Sequence, residues 1–202
     1  MSCPVYLVDD DDAVREALSL LLLTVGIEVR SFAAPEAFLS ALGTLPPGCL
    51  ILDIRMPVIS GLKLQEQLRA TGVDWPAVVI SGHGDIEACR RAFRGGAIDF
   101  LCKPVDEQDL IDAIQRGQAE LERSRRQVSE ASEAQRLLAR LTGRETEVLE
   151  MISKGLTTRQ IAEVLDLSPR TVDSHRAAIG TKAGTTSAAE LTRLWLEGHG
   201  TP

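Results

Sequence analysis

The sequence predicts an α/β domain with a doubly wound, five-stranded parallel sheet (residues 1–115), a linker helix (116–140) and a second, all-α domain (141–202). Three observations support this division. Five short apolar runs alternate with helical patterns at a spacing of about 22 to 27 residues, as strands and helices do in such sheets. A long polar stretch without proline follows. Beyond it come short amphipathic helical patterns joined by tight turns.

Composition limits the class of protein. The 202 residues are 44% hydrophobic and 25% charged, and no apolar run approaches the ~18 residues that a membrane span needs. No secretory signal pattern opens the chain, and the four cysteines lack metal-ligand spacing, so we expect a cytoplasmic protein with buried, reduced thiols. Residues 1–115 carry a net charge of −8 and residues 116–202 one of +1, which indicates two domains of different kind.

The first predicted strand, Val5–Val8, runs directly into four aspartates, Asp9–Asp12. We expect Asp11 or Asp12 to cap the helix that follows and Gly26 to end it. Asp9 and Asp10 abut the strand, so we expect them at the edge of the sheet where it ends. The apolar face of the helix is predicted to contain Val14, Leu18, Leu21, Leu22 and Val25.

Three of the four later strands also end in polar side chains. After the strand at 28–32, Pro35 opens a helix. The strands at 50–52, 77–80 and 98–102 end at Asp53, Ser81 and Lys103. The helix at 86–95 is predicted to turn inward its apolar residues Ile86, Cys89, Ala92 and Phe93.

Asp9, Asp10 and Asp53 are therefore predicted to share one edge of the sheet, where open α/β sheets bind their ligands. Three neighbouring carboxylates repel one another, so a cation is needed to offset their charge. Oxygen ligands with room for water favour Mg²⁺. The residues thus predict a magnesium site at the carboxyl ends of the strands.

Four stretches of the first 115 or so residues form a recognisable set. They are Val8-Asp9-Asp10 with Val14-Arg15, Asp53-Ile54-Arg55-Met56-Pro57 with Ser60-Gly61, Ile80-Ser81-Gly82-His83-Gly84-Asp85, and Gly96-Ala97-Ile98-Asp99-Phe100 before Lys103-Pro104. In their order and spacing they resemble the receiver domain of two-component response regulators. The resemblance implies that a sensor histidine kinase phosphorylates Asp53, that Asp9 and Asp10 form an acidic pocket, and that Asp10, Asp53 and the backbone carbonyl of Arg55 bind Mg²⁺.

The same resemblance implies a conformational switch. Ser81 and Lys103 would contact the phosphoryl group, Phe100 would be the switch aromatic, and the Lys103-Pro104 bond would be cis. A carboxylate is a poor nucleophile unless cations offset the charge on the phosphoryl oxygens, which is the role expected of Lys103 and Mg²⁺. Movement of the Ser81 hydroxyl toward the phosphoryl group would vacate space for Phe100, changing the surface of the helix at 86–95 and the fifth strand.

The second half of the chain is predicted to be helical. We expect residues 116–140 to form a solvated linker helix, because the heptad positions Ile114, Leu121 and Val128 have small or polar partner positions and make only a weak coiled-coil seam. Beyond it, Thr142 and Glu145 form a capping box for a helix that Gly155 ends. A second helix is expected at Thr158–Leu165, and Pro169 opens a third.

Residues 138–196 contain four motifs. They are Leu141-Thr142-x-Arg144-Glu145-x-Glu147-Val148-Leu149, Gly155-Leu156-Thr157-Thr158-x-x-Ile161-Ala162, Leu167-Ser168-x-x-Thr171-Val172-x-x-His175-Arg176 and Ser187-Ala188-Ala189-Glu190-Leu191. Together they resemble the LuxR-type helix-turn-helix effector of the FixJ/NarL family. The resemblance implies that the helix at 171–182 reads promoter DNA. By resemblance, bases face Asp173, Ser174 and Ala177, phosphates face Thr157, Thr158, Arg170, Arg176 and Lys182, and Thr171 and His175 complete the predicted DNA contacts.

We therefore expect a response regulator that binds specific DNA sequences and regulates transcription. It is expected not to be an enzyme, although the receiver would catalyse its own phosphoryl transfer and dephosphorylation. The expected partners are the kinase, promoter DNA, RNA polymerase and, after phosphorylation, a second copy of the chain. One alternative is a phosphatase of the haloacid dehalogenase type, which needs an aspartate where Arg55 stands. Another is a phosphorylation-independent DNA-binding protein whose receiver serves only for dimerisation.

Overall fold

The structure, a computed structural model, describes residues 3–82 and 86–200. The end of one predicted motif, His83-Gly84-Asp85, lies outside the described residues. The chain divides into two compact units, Met1–Ser124 and Arg125–Pro202. No helix among the described residues is long and apolar enough to cross a membrane.

The first unit contains a five-stranded parallel sheet with the strand order β2-β1-β3-β4-β5. This order confirms the predicted doubly wound fold. The central strands are buried over their full length because helices cover both faces of the sheet. The strands are β1 (Val5–Val8), β2 (Val29–Phe32), β3 (Cys49–Asp53), β4 (Ala77–Ser81) and β5 (Ala97–Cys102).

Five helices accompany the sheet, and side chains alternate between two cores. Leu7 and Ile51 face one core with Leu22 and Ile114. Tyr6 and Leu52 face the other core. The helices are α1 (Asp12–Thr24), α2 (Pro35–Ala41), α3 (Gly61–Ala70), α4 (Ile86–Arg94) and α5 (Glu107–Leu138), with a 3₁₀ turn at Leu42–Thr44.

The ends of α1 follow the predicted signals. Asp11 caps the helix by accepting hydrogen bonds from the backbone N–H groups of Ala13 and Val14. Gly26 follows its carboxyl end with a φ of 76°. The predicted inward position of Val25 is wrong, because the helix ends at Thr24 and the Val25 side chain is 47% exposed.

The predicted inward face of α4 is also wrong in part. Ala92 is buried and Ala88 packs beside it, whereas Ile86 is 77% exposed and Phe93 is 49% exposed. Ile86 and Phe93 lie seven residues apart and share one side of the helix. The helix approaches the sheet through its alanine stripe, so its larger apolar residues face outward.

The thiols were also predicted to be buried. Cys3 and Cys49 are buried and Cys89 is half-buried, but Cys102 is exposed at the end of β5, so that part of the prediction is wrong.

The second unit is a helical domain built around one core that includes Leu149, Ile161, Val172 and Ile179. The capping box of Thr142 and Glu145 and the helix at Thr158–Leu165 are as predicted. The last helix was not predicted as an element. The helices of this unit, after the end of α5, are α6 (Gly143–Ser153), α7 (Thr158–Leu165), α8 (Pro169–Ala183) and α9 (Ala188–His199).

Helix α5 runs without interruption over 32 residues. Ile114 and Leu121 are buried in the first unit, and Ala134 is buried in the second, where Leu138 packs on the core. Val128 is 70% exposed. Two of the three heptad positions are therefore buried within the chain's own units.

Candidate functional site

Two acids and a lysine meet at the carboxyl edge of the sheet. Asp9 follows β1 and Asp53 ends β3, and these strands are neighbours in the sheet. The Nζ atom of Lys103 lies 2.8 Å from Asp9 Oδ2 and 2.6 Å from Asp53 Oδ1. The side chain of Asp9 is 1% exposed and that of Asp53 is 5% exposed. One ammonium group thus bridges two buried carboxylates.

Backbone groups hold the remaining carboxylate oxygens. The N–H of Asp11 donates to Asp9 Oδ1 at 2.9 Å, and the N–H of Arg55 donates to Asp53 Oδ2 at 2.6 Å. The guanidinium of Arg15 donates to the backbone carbonyl of Asp9 at 2.7 Å. Sequence reasoning assigned no role to Arg15. Its position one turn into the helix that follows four acids is the signal that could have indicated this contact.

Gly61 shapes the site through its missing side chain. The first residue of α3 passes so close to β3 that an added Cβ would overlap the backbone carbonyl of Asp53. The N–H of Gly61 also donates to the carbonyl of Ile54 at 3.2 Å. Ser60 caps the helix by accepting from the N–H of Lys63 at 3.3 Å. The turn after Asp53 therefore depends on a glycine at this position.

Burial and the neighbouring charges shift the pKa values of Asp53 and Lys103. Burial raises the pKa of the Asp53 carboxyl, the hydrogen bond from Lys103 lowers it, and the nearby charge of Asp9 raises it, with a net rise. Burial lowers the pKa of Lys103, but its hydrogen bonds to Asp53 and Asp9 raise that pKa further than burial lowers it. Lys103 therefore stays charged, while its single positive charge does not fully compensate two buried acids.

The other predicted receiver residues lie around this centre. Ser81, at the end of β4, is 3% exposed, and its carbonyl accepts from the N–H of Lys103 at 2.7 Å. Phe100 is half-buried and packs against a cluster that includes Val79 and Ala92. Asp10 is exposed beside the centre. The Lys103-Pro104 peptide bond is cis, as expected.

The donor set fits a hard divalent cation. Asp10, Asp53 and the carbonyl of Arg55 offer only oxygen, and exposure at Asp10 leaves room for water ligands. Both oxygens of Asp9 accept hydrogen bonds, from the N–H of Asp11 and from Lys103, and its side chain is buried, whereas Asp10 is exposed. In the described stretches, the His, Cys, Asp and Glu side chains form no cluster of three that could hold a metal by themselves.

In the second unit, α7 and α8 form two helices joined by a tight turn. Asp166 ends α7 in the left-handed conformation, with a φ of 52°. Ser168 caps α8 and Pro169 occupies its first turn. Along α8, the buried residues are Val172, Ile179 and Gly180, and the exposed ones are Pro169, Arg170, Asp173, Ser174, Ala177 and Thr181. The helix thus presents one free face to solvent. Thr181 was not among the predicted contacts.

Several predicted DNA contacts also have hydrogen-bond partners within the domain. Thr157 caps α7 in a capping box with Gln160. The Thr158 hydroxyl donates to Asp173 Oδ1 at 3.2 Å, which links α7 to α8. The hydroxyl groups of Thr171 and Ser168 lie 2.8 Å apart. These side chains therefore have partners within the domain, and only the contact between Thr158 and Asp173 joins residues that are distant in sequence.

The basic residues of this region fall into two groups. Within the described chain, Arg170 and Arg176 form no ion pair; Arg170 is exposed, and Arg176 and His175 are half-buried. Lys182 differs from the predicted phosphate contact, because its Nζ lies 2.6 Å from Glu145 Oε2 and donates to the carbonyl of Arg140 at 3.2 Å. Its ammonium group is thus paired with the buried carboxylate of Glu145.

Comparison with known proteins identifies two family models on this chain. Residues 5–115 match the response regulator receiver domain, and residues 139–195 match the luxR family of bacterial regulatory proteins. The chain is 42% identical over 195 residues to the transcriptional regulatory protein FixJ of Azorhizobium caulinodans, covering 96% of this chain and 92% of that protein.

Two solved structures extend over nearly the whole chain. The response regulator StyR, solved at low resolution, is 43% identical with a TM-score of 0.79 and covers 96% of this chain and 98% of its own. Full-length FixJ from B. japonicum is 34% identical with a TM-score of 0.62, covering 98% and 97%.

Proposed function

Because the chain belongs to the response regulators that join a receiver domain to a LuxR-type DNA-binding domain, we propose that phosphorylation of Asp53 controls its activity as a transcriptional regulator. The observation that carries this proposal is the contact of Lys103 with both Asp9 and Asp53 at the edge of the sheet. A receiver domain implies a sensor histidine kinase as the phosphoryl donor. The LuxR-type domain implies promoter DNA as the target.

The buried charges support the chemistry of phosphoryl transfer. An oxygen of Asp53 forms a bond to phosphorus while the bond from phosphorus to the donor's leaving group breaks. Lys103, already 2.6 Å from Asp53, neutralises charge on the phosphoryl oxygens. Asp10, Asp53 and the carbonyl of Arg55 would hold Mg²⁺, which supplies further positive charge. Hydrolysis of the acyl phosphate by water would return the free carboxylate, so the receiver would limit its own signal.

The phosphoryl group on Asp53 would change the conformation of the receiver through Ser81 and Phe100. Ser81 is buried at the end of β4. Phe100 lies on the adjacent strand β5 and packs against the cluster that includes Val79 and Ala92. A hydroxyl that turns to a phosphoryl oxygen would let Phe100 move inward and alter the surface of α4 and β5. Phe93 and Ile86 are exposed on α4. That surface supports a second copy of the chain as the partner of the phosphorylated form.

The effector would bind promoter DNA as a dimer, with α8 in the major groove, and act with RNA polymerase in the bacterial cytoplasm. Arg170, Arg176 and Thr157 would contact phosphates, whereas the Thr158 hydroxyl donates to Asp173. The charge of this domain is nearly balanced, with eight acids and seven bases in residues 142–202. Non-specific binding should therefore be weak, and two half-sites would be needed for tight specific binding.

One experiment tests the central assignment. The full-length protein, Asp53→Asn and the matched control Asp74→Asn, which alters an exposed acid before β4, are incubated with acetyl phosphate and Mg²⁺. We expect one phosphoryl group and a monomer-to-dimer shift in the parent and in Asp74→Asn, and neither in Asp53→Asn. Equal labelling of Asp53→Asn would refute the assignment. DNA binding that does not respond to labelling would favour the phosphorylation-independent alternative.

A further inference from the structure

We propose that Asp173 is a base-reading residue that selects cytosine, and that Thr158 positions its carboxylate for this role. The proposal rests on the proposed DNA-binding function and names what the α8 surface recognises. Its basis is the placement of an exposed acid, held by a neighbouring helix, on the free face of α8.

The position of Asp173 on the helix gives it access to a DNA groove. Asp173, Ser174 and Ala177 are exposed, and they lie at spacings of one and four residues, which places them on one side of the helix. The opposite side is anchored in the core by Val172 and Ile179, both fully buried. The helix therefore cannot rotate this acid away from a ligand that docks on the free face without losing its core contacts.

The small neighbours of Asp173 allow a close approach. Ser174 and Ala177 have short side chains, and Thr181 one turn further on donates its hydroxyl to the carbonyl of Ala177 at 3.0 Å. No long side chain from these positions stands between the helix and the floor of a groove. The carboxylate of Asp173 can thus reach base edges rather than only the rim of the groove.

The chemistry of the major groove then restricts what Asp173 can contact. A carboxylate only accepts hydrogen bonds, and it is repelled by phosphates and by acceptor atoms on the bases. Guanine presents two acceptors in the major groove, and thymine an acceptor and a methyl group. Adenine presents its N6 amino donor next to its N7 acceptor, whereas cytosine presents only its N4 amino donor. Cytosine is therefore the base that a fixed carboxylate accepts from with least repulsion.

The contact with Thr158 fixes the carboxylate. The hydroxyl of Thr158, in the first turn of α7, donates to Asp173 Oδ1 at 3.2 Å across the two helices. This hydrogen bond leaves Oδ2 available for a base. It also reduces the number of rotamers that must be frozen when DNA binds, which favours selectivity. Thr158 is thus a positioning residue for Asp173.

Selection from a library of random-sequence DNA duplexes tests the proposal. The full-length protein, treated with acetyl phosphate and Mg²⁺, is compared with Asp173→Ala and Asp173→Asn, and the bound DNA is sequenced. The parent should require cytosine at one position of each half-site, with about 5- to 150-fold weaker binding of the other bases. Asp173→Ala should lose the preference at that position alone. Asp173→Asn should select adenine there, because asparagine pairs with both N6 and N7.

Thr158 variants separate positioning from folding. Thr158→Val should weaken the discrimination at the Asp173 position, and Thr158→Ser, which keeps the hydroxyl, should restore it at an unchanged melting temperature. The proposal is overturned if Asp173→Ala retains the cytosine preference. It is also overturned if that variant binds every sequence more tightly by the same factor, since the acid would then only repel DNA. A parent protein that enriches no sequence would refute both this inference and the DNA-binding assignment of α8.

Discussion

Replacement of Lys182 by methionine should destabilise the second unit by about 2 kcal/mol at neutral pH. Glu145 Oε2 accepts from Lys182 Nζ at 2.6 Å and from the N–H of Thr142 at 2.7 Å, and its side chain is 7% exposed. Loss of one partner of a fully buried ion pair costs about 3–5 kcal/mol. Because 31% of the Lys182 side chain is exposed, we expect a smaller value.

The two tryptophans of the chain allow this change to be measured in the second unit alone. Trp75 lies in the first unit and Trp195 in the second, where it packs against the core. In a Trp75→Phe background, fluorescence therefore follows the unfolding of the second unit. For a domain of this size, about 2 kcal/mol corresponds to a fall in Tm of roughly 10 °C.

The destabilisation should depend on pH in a defined sense. The hydrogen bond from Lys182 is the largest cause that lowers the pKa of Glu145, from 4.5 to about 2. A carboxyl whose pKa is lower in the folded state stabilises that state above its unfolded pKa, and loses this contribution as it is protonated. The difference between the parent and Lys182→Met should therefore be full above about pH 4.5 and shrink as the pH falls toward 2.

A matched control separates the ion pair from other effects of the substitution. Glu145→Gln keeps an acceptor for the Thr142 N–H but removes the charge, so Lys182→Met should cost much less in that background. In DNA-binding assays, Lys182→Met should leave the slope of affinity against salt unchanged, whereas Arg176→Met should reduce it by about one. An unchanged Tm together with a reduced slope for Lys182→Met would refute the ion-pair interpretation and restore the phosphate contact.

Two further predictions concern the receiver. Gly61→Ala should destabilise the first unit by about 1–3 kcal/mol and slow labelling of Asp53 by acetyl phosphate, because the added methyl group overlaps the Asp53 carbonyl. The control Gly43→Ala, with nothing within 4 Å of an added Cβ, should change neither the stability nor the labelling rate. Equal behaviour of the two variants in thermal melts and labelling would contradict this prediction. Cys102 should react with iodoacetamide at pH 8 in the folded protein, whereas Cys49, buried and with its pKa raised to about 12, should react only after unfolding; peptide mass spectrometry that finds Cys49 modified first would refute this order.

Much of the receiver could be predicted because its signals are local. Strands are short apolar runs, and in a parallel sheet their carboxyl ends meet, so residues at strand ends such as Asp9, Asp53 and Lys103 could be brought to one edge without a structure. The inward face of α4 could not be predicted in this way. Hydrophobicity favoured Ile86 and Phe93, but Ala92 and Ala88 are the residues that pack in the cluster with Val79, and the two larger residues are exposed.

In the second unit, contacts between residues that are distant in sequence could not be predicted. The capping box of Thr142 and Glu145 was visible in sequence because it joins residues three positions apart. The partners of Lys182 and Asp173 were not, because they lie 37 and 15 residues away on other helices. Charge alone suggested that Lys182 faces phosphate. Only the packed domain shows that Glu145 already holds it.

The division of α8 into a free face and an anchored face has a consequence for how regulators of this kind diverge. Gly180 is packed so closely that an added Cβ would lie 3.1 Å from the carbonyl oxygen of Thr185, so the anchored face tolerates little change. Asp173, Ser174 and Ala177 contribute nothing to the buried core. After gene duplication, point substitutions at these three positions could redirect a copy to new operators while leaving its folding intact.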